Sequence, residues 1–279
     1  GLSDVLIESS SMYMGNDPSS TTSTAEFNIA IGTTALDAIT TGDNNVAVGY
    51  NALTANTTGG GNTALGSNAL KANTGTVNTA VGYNALLQNT SGGKNTAIGD
   101  GALYTNTTGE KNNAMGRLSL FSNISGNNNM AAGNYALYAN TTGDDNTSIG
   151  YQAGDVIATG SQNVTIGSGS DPSANSGANQ IVIGYGATGH GNNIAVIGNA
   201  DMTAWHPADD GGVDLGSSNY EFKDLYVDGT ANVDAINFNG TAVSATAAEL
   251  NIMDGVTSTA AELNLLDGVT ATTAEINYV

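Results

Sequence analysis

The chain has no cysteine, a single tryptophan, three prolines and only five basic residues among its 279 positions. Without cysteine there are no disulfides and no thiolate metal sites. The basic residues Lys71, Lys94, Lys111, Arg117 and Lys223 are scattered one at a time against 25 acidic ones, for a net charge of -20. No basic stripe is available to neutralise phosphates, which argues against nucleic-acid binding. The same charge opposes docking to anionic membranes. No apolar run approaches the ~20 residues that span a bilayer, so membrane insertion is not expected, and no signal peptide is visible. The chain starts at Gly1 and stops inside a repeat, which reads as a fragment of something longer.

What the chain has in excess is glycine, 38 residues, with asparagine, threonine and alanine crowding the first two-thirds. Such a composition means either disorder or a tightly turned repeat, and periodicity decides between them. One motif, N-x-A-[IVL]-G-x-x-A-L, recurs, as in Asn45-Val46-Ala47-Val48-Gly49, Asn62-Thr63-Ala64-Leu65-Gly66 and Asn95-Thr96-Ala97-Ile98-Gly99. Its glycines run from Gly32 to Gly198 in eleven copies, spaced 17 apart except for one interval of 16 and a last one of 14. A fixed short period means a solenoid with one coil per repeat. An apolar residue precedes each glycine, and a leucine follows four positions later in seven coils, Leu53 and Leu103 among them. Two short extended segments separated by Gly/Asn turns make a narrow β-roll with no room for a helix in each turn.

Two further columns bear on assembly and modification. The asparagines that open each motif, Asn28 through Asn163, are expected to hydrogen-bond along the axis as amide ladders do. Sequons such as Asn106-Thr107-Thr108 raise N-glycosylation as the competing use, although the repeat itself generates N-T-T. On the short strand, alternate residues share a face. Small alanines hold one face in seven successive coils, Ala30 to Ala131, and apolar residues, threonines and one asparagine (Asn113) hold the other. Two quiet faces imply that one fills the roll and the other meets another subunit or wall. In a trimer, the alanine column is the expected interface. The position after the glycine varies (Tyr50, Ser67, Asp100, Arg117) and is expected at the surface.

The N-T-A-V-G-Y-N-A-L string resembles the head repeat of trimeric autotransporter adhesins over about residues 26–200. That resemblance implies a parallel β-roll that trimerises; this chain's repeats are longer than the family tends to use. It carries over the Asn, Ala, apolar and Gly columns and no binding site.

After Gly198 the period fades. The string Asp214-Leu215-Gly216-Ser217-Ser218 with Phe222-Lys223-Asp224-Leu225-Tyr226-Val227-Asp228-Gly229 resembles a connector segment of bacteriophage tail fibres. Trp205, Phe222, Tyr226 and Phe238 are expected to form a compact plug there, with saccharide stacking on Trp205 as the sharper alternative. A 13-residue repeat, T-x-A-E-[LI]-N, then starts at Thr246, Thr259 and Thr272. Thr246 with Glu249, and Thr259 with Glu262, have capping-box spacing, and glycines follow as helix stops. Short helices of this kind need partner surfaces, which three-fold packing supplies. This repeat also resembles tail-fibre shaft repeats.

Chemistry is hard to find. Gly92-Gly93-Lys94-Asn95-Thr96 lacks the upstream glycine and the Ser/Thr of a phosphate loop. His190 and His206 have no triad or zinc pattern around them. Asp144/Asp145 and Asp209/Asp210 lie in turns; a hard cation at Asp209, Asp210 or Asp214 is the one metal option. The sequence therefore predicts an all-β-dominated chain with no cofactor and no catalytic residue. It divides into a cap or linker (1–25), a β-roll (26–200), a connector (201–240) and short-helix shaft repeats (241–279). The expected function is a structural module of a viral tail fibre, a homotrimer on the virion surface facing a host glycan or protein receptor. The alternatives are a bacterial surface adhesin, a β-helical depolymerase tailspike and a self-assembling extracellular filament.

Overall fold

The computed structural model describes residues 5–8, 10–15, 24–207, 214–231, 237–238 and 241–242. Among these residues the structure is all-β, and there is no helix. The expected helix caps Thr246, Glu249, Thr259 and Glu262 lie outside the described residues. The chain divides into two compact units, Gly1–His206 and Pro207–Val279.

The first unit opens with an antiparallel hairpin of β1 (Val5–Glu8) and β2 (Ser11–Met14). Strand β2 then pairs in parallel with β3 (Ile29–Ile31). From there each coil adds one three-residue strand: β4 (Val46–Val48), β5 (Thr63–Leu65), β6 (Thr79–Val81), β7 (Thr96–Ile98) and β8 (Asn113–Met115). The series continues through β9 (Met130–Ala132), β10 (Thr147–Ile149), β11 (Val164–Ile166), β12 (Ile181–Ile183) and β13 (Ala195–Ile197). All thirteen strands form one sheet in sequence order. Equivalent motif positions sit opposite each other, as Ala47 opposite Ala64 and Ala97 opposite Ala114. This is a parallel β-solenoid of about 17-residue coils. The 16-residue interval leaves strand register intact, with Thr63 opposite Thr79.

The sharp corner after each strand explains the motif glycine. Gly49 and Gly99 have φ of 134° and 138°. A Cβ on Gly99 would stand 2.5 Å from the carbonyl oxygen of Gly116 in the next coil. Only glycine allows that backbone turn and that coil-to-coil approach.

The leucine four residues later is also left-handed: Leu36, Leu53, Leu70, Leu86, Leu103, Leu120 and Leu137 have φ of 49–53°. For a residue with a Cβ this costs roughly 1–2 kcal/mol. Complete burial of each of these leucines offsets it, at about 1.5–3 kcal/mol per side chain. A second run of inter-coil bonds supports this side, as Leu53 N–H donates to Ala69 (3.1 Å) and Ala55 N–H to Lys71 (3.0 Å). Leucines and alanines together form one continuous core. At its N-terminal end Tyr13 lies opposite Ala30 and is 1% exposed, so a large ring closes the tube where the following coils carry a methyl group.

In the second unit, Ser217 and Tyr220 form an antiparallel bridge. Strands β14 (Asn237–Phe238) and β15 (Thr241–Ala242) form an antiparallel pair.

Candidate functional site

The alanine column does not face outward. Ala47 and Ala97, with Ala30, Ala64, Ala80, Ala114 and Ala131, are fully buried inside the roll. They are therefore not an interface, contrary to the expectation for a trimer. The reason is bulk: the leucine column fills the narrow tube from the opposite side and leaves space for a methyl group only. The apolar column before each glycine points outward instead. Leu65 is 48% exposed, Ile98 42% and Met115 40%.

Strands β3–β13 thus present two outward side chains each, 22 from eleven strands, and none of them is charged. In a chain of net charge -20 this exclusion is the main feature of the surface. At the usual ~4.8 Å strand spacing the face is about 50 Å long, and at roughly 10 Å wide it offers about 500 Å², the upper range for an apolar patch on a monomer. Tyr50, Tyr83, Tyr151 and Tyr185, one residue past the corner glycine, are exposed along its rim.

The predicted asparagines are structural. Asn45, Asn62 and Asn95 are buried. Each Oδ1 accepts the backbone N–H of the equivalent asparagine in the next coil, at 2.9–3.0 Å. Each Nδ2 donates to a turn glycine carbonyl, as Asn45 to Gly59 (3.0 Å) and Asn95 to Gly109 (2.8 Å). These side chains therefore bridge to backbone more than to one another; direct amide pairs in this column are Asn129–Asn112, Asn146–Asn129 and Asn163–Asn146.

A continuous amide ladder occupies a different column, which the sequence reading passed over as turn residues. Asn89 donates to Asn73 (2.6 Å), Asn106 to Asn89 (2.6 Å), Asn123 to Asn106 (2.7 Å) and Asn140 to Asn123 (2.8 Å). Its signal was present in the sequence, because these residues recur at the same spacing as the glycines. Ile157 ends the ladder, which leaves Asn140 Oδ1 without a partner. Asn56 Oδ1 is likewise unpaired beside the 16-residue coil.

A second surface feature interrupts the uniform repeats. Tyr104, Phe121 and Tyr138 stack in successive coils with centroids 5.0 and 5.4 Å apart. Arg117 lies over Tyr135 at 5.5 Å and pairs with Asp100 at 3.5 Å. The three stacked rings face one another along the axis, so they tie coils together and turn edges outward.

The remaining candidates disperse. Gly92 is a buried turn residue whose carbonyl accepts from Asn78 (2.9 Å) and Asn89 (2.8 Å). Asp144 accepts from the Asn127 backbone (2.6 Å). His190, His206 and Asp214 are exposed, and Asp209 and Asp210 lie outside the described residues. Among the described residues no three His, Cys, Asp or Glu side chains converge. Trp205 in the first unit is 72% exposed; in the second unit Phe222 is 65% and Tyr226 90% exposed, so these two are not buried in the expected plug. Their shared sequence neighbourhood brought large side chains near each other along the chain without giving them a core to enter. Comparison with protein-family models, curated proteins and solved structures finds no match for the chain.

Proposed function

We propose that this chain is a structural segment of a viral tail fibre, assembled as a homotrimer and projecting a host-attachment surface. The observation that carries the reading is the long outer sheet face from which every charge is excluded. A monomer in water gains nothing from holding 22 outward positions free of charge, whereas a partner subunit buries them. A second copy of the same rod offers a face with the same ~4.8 Å periodicity. Stacked coils coupled to their neighbours give a stiff rod, the mechanical requirement of a fibre. The tail-fibre assignment rests on the connector and 13-residue repeats that resemble those of phage fibres. The roll itself resembles a bacterial adhesin head, which makes a trimeric cell-surface adhesin the second reading.

The test is the solution mass by light scattering at several concentrations. The expected result is a concentration-independent trimer. Ile98→Asp, which places a charge on the outward face and leaves the core alone, is expected to yield folded monomers. A wild-type chain that stays monomeric throughout overturns the proposal.

A further inference from the structure

The roll buries its own glycosylation signals. Seven N-x-[ST] triplets fall in the described coils. Five begin at second-turn asparagines (Asn56, Asn89, Asn106, Asn123, Asn140) and two at motif asparagines (Asn146, Asn163). In an exposed loop each would be an acceptor for an N-linked oligosaccharide. Here all seven asparagines are 0% exposed.

The nitrogen that would carry the sugar is already committed. Asn106 Nδ2 donates to Asn89 Oδ1 (2.6 Å) and to the Gly109 carbonyl (3.0 Å). Asn123, Asn140, Asn146 and Asn163 repeat this double use. In glycosyl transfer, this nitrogen forms a bond to C1 of an oligosaccharide carried on a lipid diphosphate. The C1–oxygen bond breaks, the lipid diphosphate leaves, and the amide gives up one proton to a base. The product has one N–H fewer and a sugar ring in its place. No such volume exists beside the ladder: even a methyl on Gly109 would meet Asn106 Oδ1 at 2.5 Å and Asn123 Nδ2 at 2.7 Å.

We infer that N-glycosylation at these seven asparagines and coiling are mutually exclusive in this chain. A glycan accepted before folding blocks its own coil, and the two neighbouring coils lose the strand and amide partners that coil supplies. The chain therefore has to coil in a setting free of N-linked oligosaccharide transfer, or before transfer reaches it. This constrains where the protein can be made, independently of what the fibre attaches to.

The experiment uses the full chain with its one further N-x-T signal, Asn239-Gly240-Thr241 beyond the coils, removed by Thr241→Ala, and expresses this parent behind a secretory leader in an N-glycosylating host and, separately, in a bacterial cytosol. Mass, far-UV circular dichroism and protease resistance are read on each product. A companion variant removes all seven signals at their third positions: Thr58→Ala, Ser91→Ala, Thr108→Ala, Ser125→Ala, Thr142→Ala, Ser148→Ala and Thr165→Ala. The last two fall in the buried alanine column, where alanine is the rule. The expected populations are modified molecules without the roll and unmodified molecules with it, and the variant recovers resistant protein from the secretory route. Molecules that carry glycans at these positions and keep the cytosolic product's spectrum and resistance overturn the inference. If the variant fails to fold even in the cytosol, the folded parent is treated with purified transferase and lipid-linked oligosaccharide. No mass gain is expected, and a gain on the intact roll overturns the inference.

Discussion

The coils up to β9 and those from β10 onward share a period and a sheet but not a core. In the earlier coils the left-handed corner position is leucine from Leu36 to Leu137, fully buried each time. In the later coils the same position is Gly154, Asp171 and Thr188. The alanine column changes with it: Ser148 and Thr165 stand in the interior and hydrogen-bond to each other at 2.6 Å. Gln180 replaces the motif asparagine, and its side chain bonds to Ser173. The comparison teaches that period and register are set by the corner glycines and backbone ladder, which both regions keep. Cohesion between coils is set by what fills the tube. The solenoid is expected to open first from its C-terminal coils, since nearest-neighbour terms dominate a one-dimensional stack.

The largest effect is expected where the two regions are alike. Gly99→Ala puts a methyl group against the Gly116 carbonyl and demands a φ of 138°. It should abolish cooperative unfolding of the roll in a thermal melt, a loss of about 4 kcal/mol or more. Leu103→Ala, at a fully buried position, and Thr188→Ala, at the equivalent position, which is exposed in the last coils, then separate the regions. The first opens a cavity in the leucine column and should cost about 2–5 kcal/mol in urea unfolding. The second should cost well under half of that. Equal losses would remove the distinction between the two cores. Asn106→Ala comes next, because it leaves Asn89 Oδ1 and Asn123 Nδ2 without their shared partner; roughly 1–3 kcal/mol is expected.

The smallest effect is a pH dependence confined to the later coils. Burial first, and then the charge of Asp155, push the Asp171 carboxyl up to about 6; backbone N–H groups of Val156 and Asp155 oppose the shift. Burial raises Asp155 as well. The folded chain therefore holds the Asp171 proton more tightly than the unfolded chain, whose carboxyl titrates near ~3.9. Stability of these coils should rise as pH falls through about 6 and level off below the unfolded value. Asp171→Asn should flatten that profile and leave the leucine-cored coils unchanged, as hydrogen exchange resolved by coil can show.

The solenoid, its coil length and the need for glycine at the corner were legible in spacing alone. The inside and outside of the strand were not. A column of isoleucine, valine and leucine reads as a core, and a column of alanine reads as a close-packed interface; the coil reverses both. What decides the matter is tube width, which depends on leucines in a left-handed conformation that few side chains adopt and no pattern announces. The second asparagine ladder was legible in principle, since Asn89, Asn106, Asn123 and Asn140 keep the period. Turn chemistry explained those residues well enough locally to hide their stacking. The burial expected of Phe222 and Tyr226 failed because closeness in sequence says nothing about burial.

The one coil of 16 residues has a consequence of its own. A residue is missing from its second turn, yet the strands on either side stay in step, and the visible penalty is one unpaired amide oxygen at Asn56. The corner glycines work as graduations on a ruler, each marking an advance of about 4.8 Å whatever the turn between them contains. A rod of this design can be lengthened or shortened by whole graduations without redrawing its cross-section. Its reach is then a matter of counting repeats.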